Sequence, residues 1–405
     1  MMRKHSIVIV GAGVGGATAA FFMKQAGLDV LLVDKEQFPR DKVCGDGQVA
    51  VVQPILEMMG VLDEVDKVGY KCYGTSFSDD REYMVPYRIP EGEHYYATPR
   101  YIFDDIVNKA AVRSGVDYME GFEALEVIER RGKACGVRGL YNGKLMDLEA
   151  DLVVLANGAH SMLSRQMGFY EEDPNYVFYG IRGYFENIKG LDDMIEFHYP
   201  DPMFSPAGYI WLFPMGKTRA NVGVFITEAS LKKTGMTSEE LLWWWRDNTK
   251  LGKERMGDAV CVGEIKGWRL PTGMHKEIYT DGLIAVGDAA NMIEPLYGGG
   301  IPHAMVSGML AAQAAAQAVA ANDFSKETLA LYRQLVDEEL TPGYQIQDYL
   351  RSAVFTDWKD LNELIDYSIE NYLSKGIRID AGDVMAKFVV EKRGYTGSTK
   401  SSYSK

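Results

Sequence analysis

Cysteine is scarce. Cys44, Cys72, Cys135 and Cys261 stand far apart in 405 residues with no CxxC pair, which excludes a disulfide framework and a cysteine-built zinc site. The histidines (His5, His94, His160, His198, His275 and His303) are scattered along the chain, so no metal is expected. Basic residues are in deficit: 43 Lys and Arg against 57 Asp and Glu leave a net charge of -14. That balance argues against a nucleic-acid partner, whose phosphates are held by clustered Lys and Arg. Long hydrophobic runs are missing too. The longest, residues 304–321, is broken by Ser307, Gln313 and Gln317 and is rich in Ala and Gly, so it reads as a buried helix rather than a membrane span. The first residues lack the charged, apolar and cleavage regions of a secretory signal, and a cytoplasmic setting is expected. No internal repeat is visible. What is present is ordinary: 47% hydrophobic and 25% charged residues, enough for two or three packed layers.

Organisation along the chain follows from periodicity. Residues 6–10 (SIVIV) form an apolar run, residues 11–16 a glycine turn, residues 17–25 a helix and residues 29–33 a second strand. Together they make a beta-alpha-beta unit. A helix over 51–59, strands within 70–86, a helix over 101–114, a hairpin over 124–148 turning at Asn142-Gly143, and a buried strand at 152–155 follow. Residues 177–227 alternate as antiparallel strands, and alpha/beta grammar returns at 282–286 and the 304–321 helix. The expectation is an α/β fold: a discontinuous Rossmann-like dinucleotide domain (1–70, 95–175 and 265–335), an inserted antiparallel β-sheet substrate domain (71–94 and 176–264), and a helical C-terminal region (336–405) with a loose tail from 394.

Gly11, Gly13 and Gly16 stand in GAGVGG between the first strand and helix, where missing side chains let backbone amides approach a pyrophosphate at the helix N-terminus. Asp34 ends the second strand, 18 residues after Gly16, placed to accept hydrogen bonds from ribose hydroxyls. The turn alone does not separate FAD from NAD. Residues 283–305, LIAVGDAANMIEPLYGGGIPHAM, do. They resemble the second FAD motif of the p-hydroxybenzoate hydroxylase-like flavoproteins. The resemblance implies FAD as cofactor, with Asp288 on its ribityl chain and Gly298, Gly299, Gly300 and Ile301 beneath the flavin ring. Pro302 fits the first turn of the next helix, whose positive end would face the flavin. DLVVLANGAHS at 151–161 resembles the middle motif of these proteins, with Asn157 where Asp is common. Arg100 matches an arginine that contacts the cofactor, or is a solvated charge at a helix start.

Two further stretches, KVCGDG at 42–47 and YIWLFPMGKTRANVG at 209–223, resemble signatures of the geranylgeranyl reductases. These flavoenzymes saturate isoprenoid double bonds, and the likeness spans residues 5–330. In an extended strand Tyr209, Trp211 and Phe213 project to one face while Ile210 and Leu212 face the other. The three rings are a wall for a prenyl chain or plain core. Reduction of an isolated alkene needs a hydride from reduced flavin and a proton from the protein. By family position Cys44 and Asp46 are the catalytic candidates, against a small buried thiol and a turn carboxylate. An electron donor such as NAD(P)H or ferredoxin is implied. Trp243, Trp244 and Trp245 on one helix are read as interdomain packing, with a peripheral membrane-surface contact as the alternative. An aromatic monooxygenase, a halogenase echoed by Tyr209-x-Trp211-x-Phe213-Pro214, and a non-catalytic prenyl-lipid or quinone binder remain as other readings.

Overall fold

The structure is a computed structural model describing residues 5–170, 173–200, 208–273, 277–356 and 358–399. The end of the expected loose tail and His275 lie outside the described residues.

Four apolar runs, Ile7–Val10, Val30–Asp34, Leu152–Leu155 and Leu283–Ala285, are buried along their whole length, the pattern of strands covered on both faces. They form the centre of a six-stranded sheet with Asp117–Glu120 at one edge and Tyr279–Thr280 at the other. Every pairing is parallel except that of Tyr279–Thr280. The first helix, Val14–Gln25, starts three residues before its expected position, because the glycines form its first turn. It packs against Ile301–Ala321 at close range. A Cβ on Gly15 would lie 3.2 Å from the Ala304 carbonyl oxygen, and one on Gly308 would overlap the Gly15 backbone. This intimate crossing explains the Ala and Gly content of the 301–321 helix. By length and composition that helix is apolar enough to cross a membrane, yet 61% of its apolar window is buried inside the protein.

The expected hairpin at 124–148 is a three-stranded meander, Phe122–Arg130, Lys133–Tyr141 and Lys144–Glu149. Its second turn is the expected Asn142-Gly143. The first, Arg131-Gly132, puts both residues at positive φ, and arginine gives no sequence signal for that conformation.

The second large sheet has seven strands in the order Val260–Pro271, Val177–Glu186, Ala220–Thr227, Tyr209–Pro214, Ile195–His198, Gly74–Ser78 and Met84–Arg88. Val260–Pro271 runs across the expected boundary at 264–265. One face carries Ile210, Leu212, Val222, Val224 and Ile226 against the helix Ser238–Asn248. That helix opens on a capping box, Thr237 with Glu240, and drives Trp245 into the core against the His198 ring. Trp243 and Trp244 are half-buried beside it. The opposite face carries Phe77, Phe178, Phe197, Tyr209, Trp211 and Phe225. The C-terminal helices Thr341–Ala353, Trp358–Asn371 and Ala381–Arg393 cover part of it, supplying Leu350, Leu364 and Met385 to the same cluster, with Phe355 from the turn after the first of them.

Candidate cofactor and active site

At the carboxyl end of the first strand, Gly11 adopts φ +103°, and a Cβ there would run into the Ala156 carbonyl. A Cβ on Gly16 would strike the Gly11 carbonyl. Both glycines are therefore required by the protein's own backbone. Gly13 is different: it caps a helix with no side-chain cap and no acid in its first turn. The amides there are left for an anion. Only the Arg40 guanidinium approaches, 3.3 Å from a Cβ on Gly13. Arg40 also bonds Asp104 at 2.8 Å. Asp34 accepts from the backbone N–H groups of Ala12 (2.6 Å) and Glu36 (2.8 Å), and burial raises its pKa in spite of them. It stands beside the turn as the strand geometry requires.

The second motif closes on the same cleft. Asp288 lies in the turn Gly287–Ala290, and Lys42 reaches its Oδ2 at 3.2 Å, joining two motifs 246 residues apart. A Cβ on Gly300 would lie 3.0 Å from Asp288 Oδ1, and one on Gly298, at φ +70°, would lie 2.8 Å from the Phe225 ring. The loop is tied by Glu294, whose carboxylate accepts from the N–H groups of Tyr297 (2.6 Å), Leu296 (2.8 Å) and Gly299 (3.0 Å). Burial pushes the Glu294 pKa up to about 7 against those bonds. Ile301 opens the next helix with Pro302 in its first turn and no side-chain cap. Burial drives His303 down to about 4, so its ring is neutral where Nδ1 meets the Gly299 carbonyl at 2.9 Å.

The stretch 44–47 lies on the aromatic face of the second sheet. A Cβ on Gly45 would lie 2.8 Å from the Phe213 ring and one on Gly47 3.0 Å from it; the two glycines let the loop rest flat on the strand. Tyr209, Trp211 and Phe213 share this face, as their alternation requires, while Ile210 and Leu212 are in the opposite cluster. Tyr209 and Trp211 are closely packed by neighbouring rings, including Phe197 and Phe225. Asn221 is the hub. Its Oδ1 accepts from Trp211 Nε1 at 2.9 Å, and its Nδ2 donates to the Cys44 carbonyl at 2.8 Å and to Asp46 Oδ2 at 2.9 Å.

Asp46 is fully buried at φ +65°. Its carboxylate also accepts from Tyr184 Oη at 2.7 Å and the Arg100 N–H at 3.1 Å. Burial outweighs these donors and raises its pKa to about 6. Arg100 is not a solvated charge: its guanidinium is buried against Asp104, with the Cys44 thiol nearby. The Arg40–Lys42 stretch thus links the glycine turn, the Arg100–Asp104 pair and Asp288, and the Cys44–Asp46 stretch after it is bonded to Asn221 on the aromatic face. Sequence reasoning quoted Lys42, Asn221 and Glu294 within its signatures without giving any of them a role, and missed Arg40 and Tyr184. Arg40 lies two residues before the KVCGDG signature and was open to notice, Glu294 acts within its own loop, and Tyr184 and Asn221 are recruited by tertiary contact. It also missed a grouping of His5, Asp29 and Asp117, whose ligand atoms lie within 4.8 Å of one another at the far end of the first sheet. His5 Nδ1 meets Asp29 at 3.2 Å there, an ordinary ion pair.

Comparison with known proteins decides the family. Residues 4–334 match the FAD binding domain model. A digeranylgeranylglycerophospholipid reductase of Methanothrix thermoacetophila is 30% identical over 90% of this chain and 91% of its own. The chain belongs to the geranylgeranyl reductase family of FAD-binding proteins. A geranylgeranyl bacteriochlorophyll reductase-like protein from Thermoplasma acidophilum shares the fold with a TM-score of 0.86 at 24% identity, over 97% of this chain and 98% of that one. A flavin-dependent brominase shares it with a TM-score of 0.79 at 20% identity, over 97% and 100%. As a family member the protein is an FAD-dependent oxidoreductase. The cleft fits that cofactor. Uncapped amides at Gly13 suit a pyrophosphate, the Asp34 and Asp288 carboxylates suit hydroxyl donors, and the Gly298–Gly300 loop, free of side chains, suits a flat ring.

Proposed function

We propose that the protein saturates carbon-carbon double bonds of an isoprenoid chain carried on a lipid, a quinone or a prenyl diphosphate. The observation that carries this reading is the seating of the 44–47 loop on the aromatic strand, next to the glycine loop of the cofactor cleft. A thiol and a ring surface close to the Lys42–Asp288 contact of the second motif support the reading, and the reductase named among the relatives supports the substrate class.

Bound and reduced, FAD supplies a hydride to one alkene carbon. The protein's part is to hold the alkene and deliver a proton to the other carbon. Tyr209, Trp211 and Phe213 line the chain and exclude water. Gly11, Gly13, Gly16, Asp34 and Arg100 hold the dinucleotide end, and Asp288 with Gly298, Gly299, Gly300 and Ile301 the flavin end. Of the two family acids, Asp46 has its carboxylate committed to Asn221, Tyr184 and the Arg100 amide. It therefore acts by fixing the loop, and the Cys44 thiol is the group that delivers the proton. The electron donor, NAD(P)H or ferredoxin, meets the protein transiently, and a peripheral membrane-surface contact gives access to a lipid substrate in the cytoplasm.

The test is to reduce the FAD-loaded protein with dithionite without oxygen, add isoprenoids, and weigh the products. A gain of two mass units per double bond, lost in Cys44→Ala, is expected. Oxygen insertion into an aromatic compound with no gain on any isoprenoid would replace this reading with a hydroxylase.

A further inference from the structure

Cross-strand neighbours on the aromatic face of the seven-stranded sheet form one row. Lys266 lies beside Arg182, Arg182 beside Gly223, Gly223 beside Trp211, Trp211 beside Phe197, and Phe197 beside Phe77. Residues directly opposite one another share a face, so the row is continuous. At about 4.8 Å per strand its five steps span roughly 24 Å. Its chemistry changes from end to end: two cations at the sheet edge, a glycine over which the Trp211 ring lies, then three buried rings. The cationic end opens to solvent. The Lys266 side chain is 44% exposed, and Trp268, two residues on and on the same face, is exposed against the His160 ring.

Arg182 is built in. Its side chain is only 3% exposed, Nη2 meets Asp41 Oδ1 at 2.5 Å, and the guanidinium lies over the Tyr184 ring. Among the described residues its Nε has no hydrogen-bond partner, which is unfavourable for a buried donor. Asp41 Oδ2 takes Lys266 Nζ at 2.9 Å. Two cations thus share one carboxylate, and a guanidinium N–H is left over, in a protein of net charge -14. A guanidinium with an adjacent ammonium is the standard answer to a phosphate group.

We propose that Arg182 and Lys266 form an anion subsite for the phosphate of an organic phosphate ester, whose apolar chain runs along Trp211, Phe197 and Phe77. The inference rests on the isoprenoid reading above and adds that the substrate carries its phosphate at the sheet edge and enters tail first. Asp41 is the internal competitor: it holds both cations until the phosphate takes its place.

A phosphate ester can come from the prenyl substrate or from a nicotinamide dinucleotide donor, and equilibrium binding separates the two. Titration calorimetry on the oxidised, FAD-loaded protein would use phytanyl phosphate, phytanol and NADP+, none of which is turned over. Phytanyl phosphate should bind at least tenfold more tightly than phytanol, and Lys266→Gln should remove most of that advantage. Asp41→Asn should tighten phytanyl phosphate several-fold and leave phytanol unchanged, a gain that misfolding does not produce. Equal affinities for phosphate and alcohol in all variants overturn the subsite and leave the reductase reading standing. A gain in Asp41→Asn seen with NADP+ alone assigns the cations to the donor and overturns the proposal. If neither phytanyl compound binds, the isoprenoid reading fails and takes the subsite with it.

Discussion

At the scale of single residues, one buried carboxyl group and one amide do work that charge counting does not foresee. Glu294 binds its proton more tightly in the folded chain, at about 7, than an ordinary glutamate does. Protonation therefore favours the folded state. Its contribution is full below about pH 4.5 and is lost as pH rises through 7, a change on the order of 3 kcal/mol. The difference in unfolding free energy between wild type and Glu294→Gln, followed by denaturant titration from pH 4.5 to 8, should shift in favour of the variant as pH rises. A constant difference would show that Glu294 titrates normally. Asn221 is the second case. Asn221→Ala leaves Trp211 Nε1 without its acceptor and the Cys44 carbonyl without this donor, at about 1–3 kcal/mol for each group left unsatisfied, and leaves Asp46 Oδ2 with the Tyr184 hydroxyl. Reduced stability with a fall in kcat larger than any rise in KM is expected. Tyr184→Phe removes one donor to Asp46 and should show a smaller effect in the same direction.

At the scale of elements, the turns and loops fix what the strands only frame. Gly298→Ala forces a side chain into the left-handed region, about 1–3 kcal/mol, and against Phe225 at 2.8 Å. FAD affinity, read by flavin fluorescence on dilution, should fall tenfold or more; unchanged affinity would remove this loop from the cofactor site. Much of this scale was legible in the chain. The glycine turn, Asp34 and the one-sided rings of 209–213 follow from local spacing, because strand and helix periods are local properties, whereas Asp288 came from the resemblance of 283–305 to a flavoprotein motif. The contacts that make a site of them are not local. Asn221 meets Asp46 across 175 residues and Lys42 meets Asp288 across 246, and no periodicity encodes which loop lies on which strand. Arg100 illustrates the same limit: at a helix start it resembles a solvated charge, yet Asp104 one turn along draws it inward.

At the scale of the molecule, the two sheets have cores that are separate clusters, and the cofactor cleft proposed above lies where the 40–47 loop and the 294–300 loop join them. FAD bound across that cleft should stabilise the whole chain by about 2.7 kcal/mol at a hundredfold excess over Kd. The melting temperature of the wild type should rise with added FAD, and that of Gly11→Ala should not. The central claim is that the bound flavin gives its electrons to an isoprenoid alkene. It is tested most directly by photometry under argon: reduce the protein stoichiometrically, add a geranylgeranyl lipid and follow the flavin absorbance. Reoxidation without oxygen is expected, one flavin equivalent per double bond lost, and little or none in Cys44→Ala. A flavin that stays reduced beside every isoprenoid until air is admitted would contradict it.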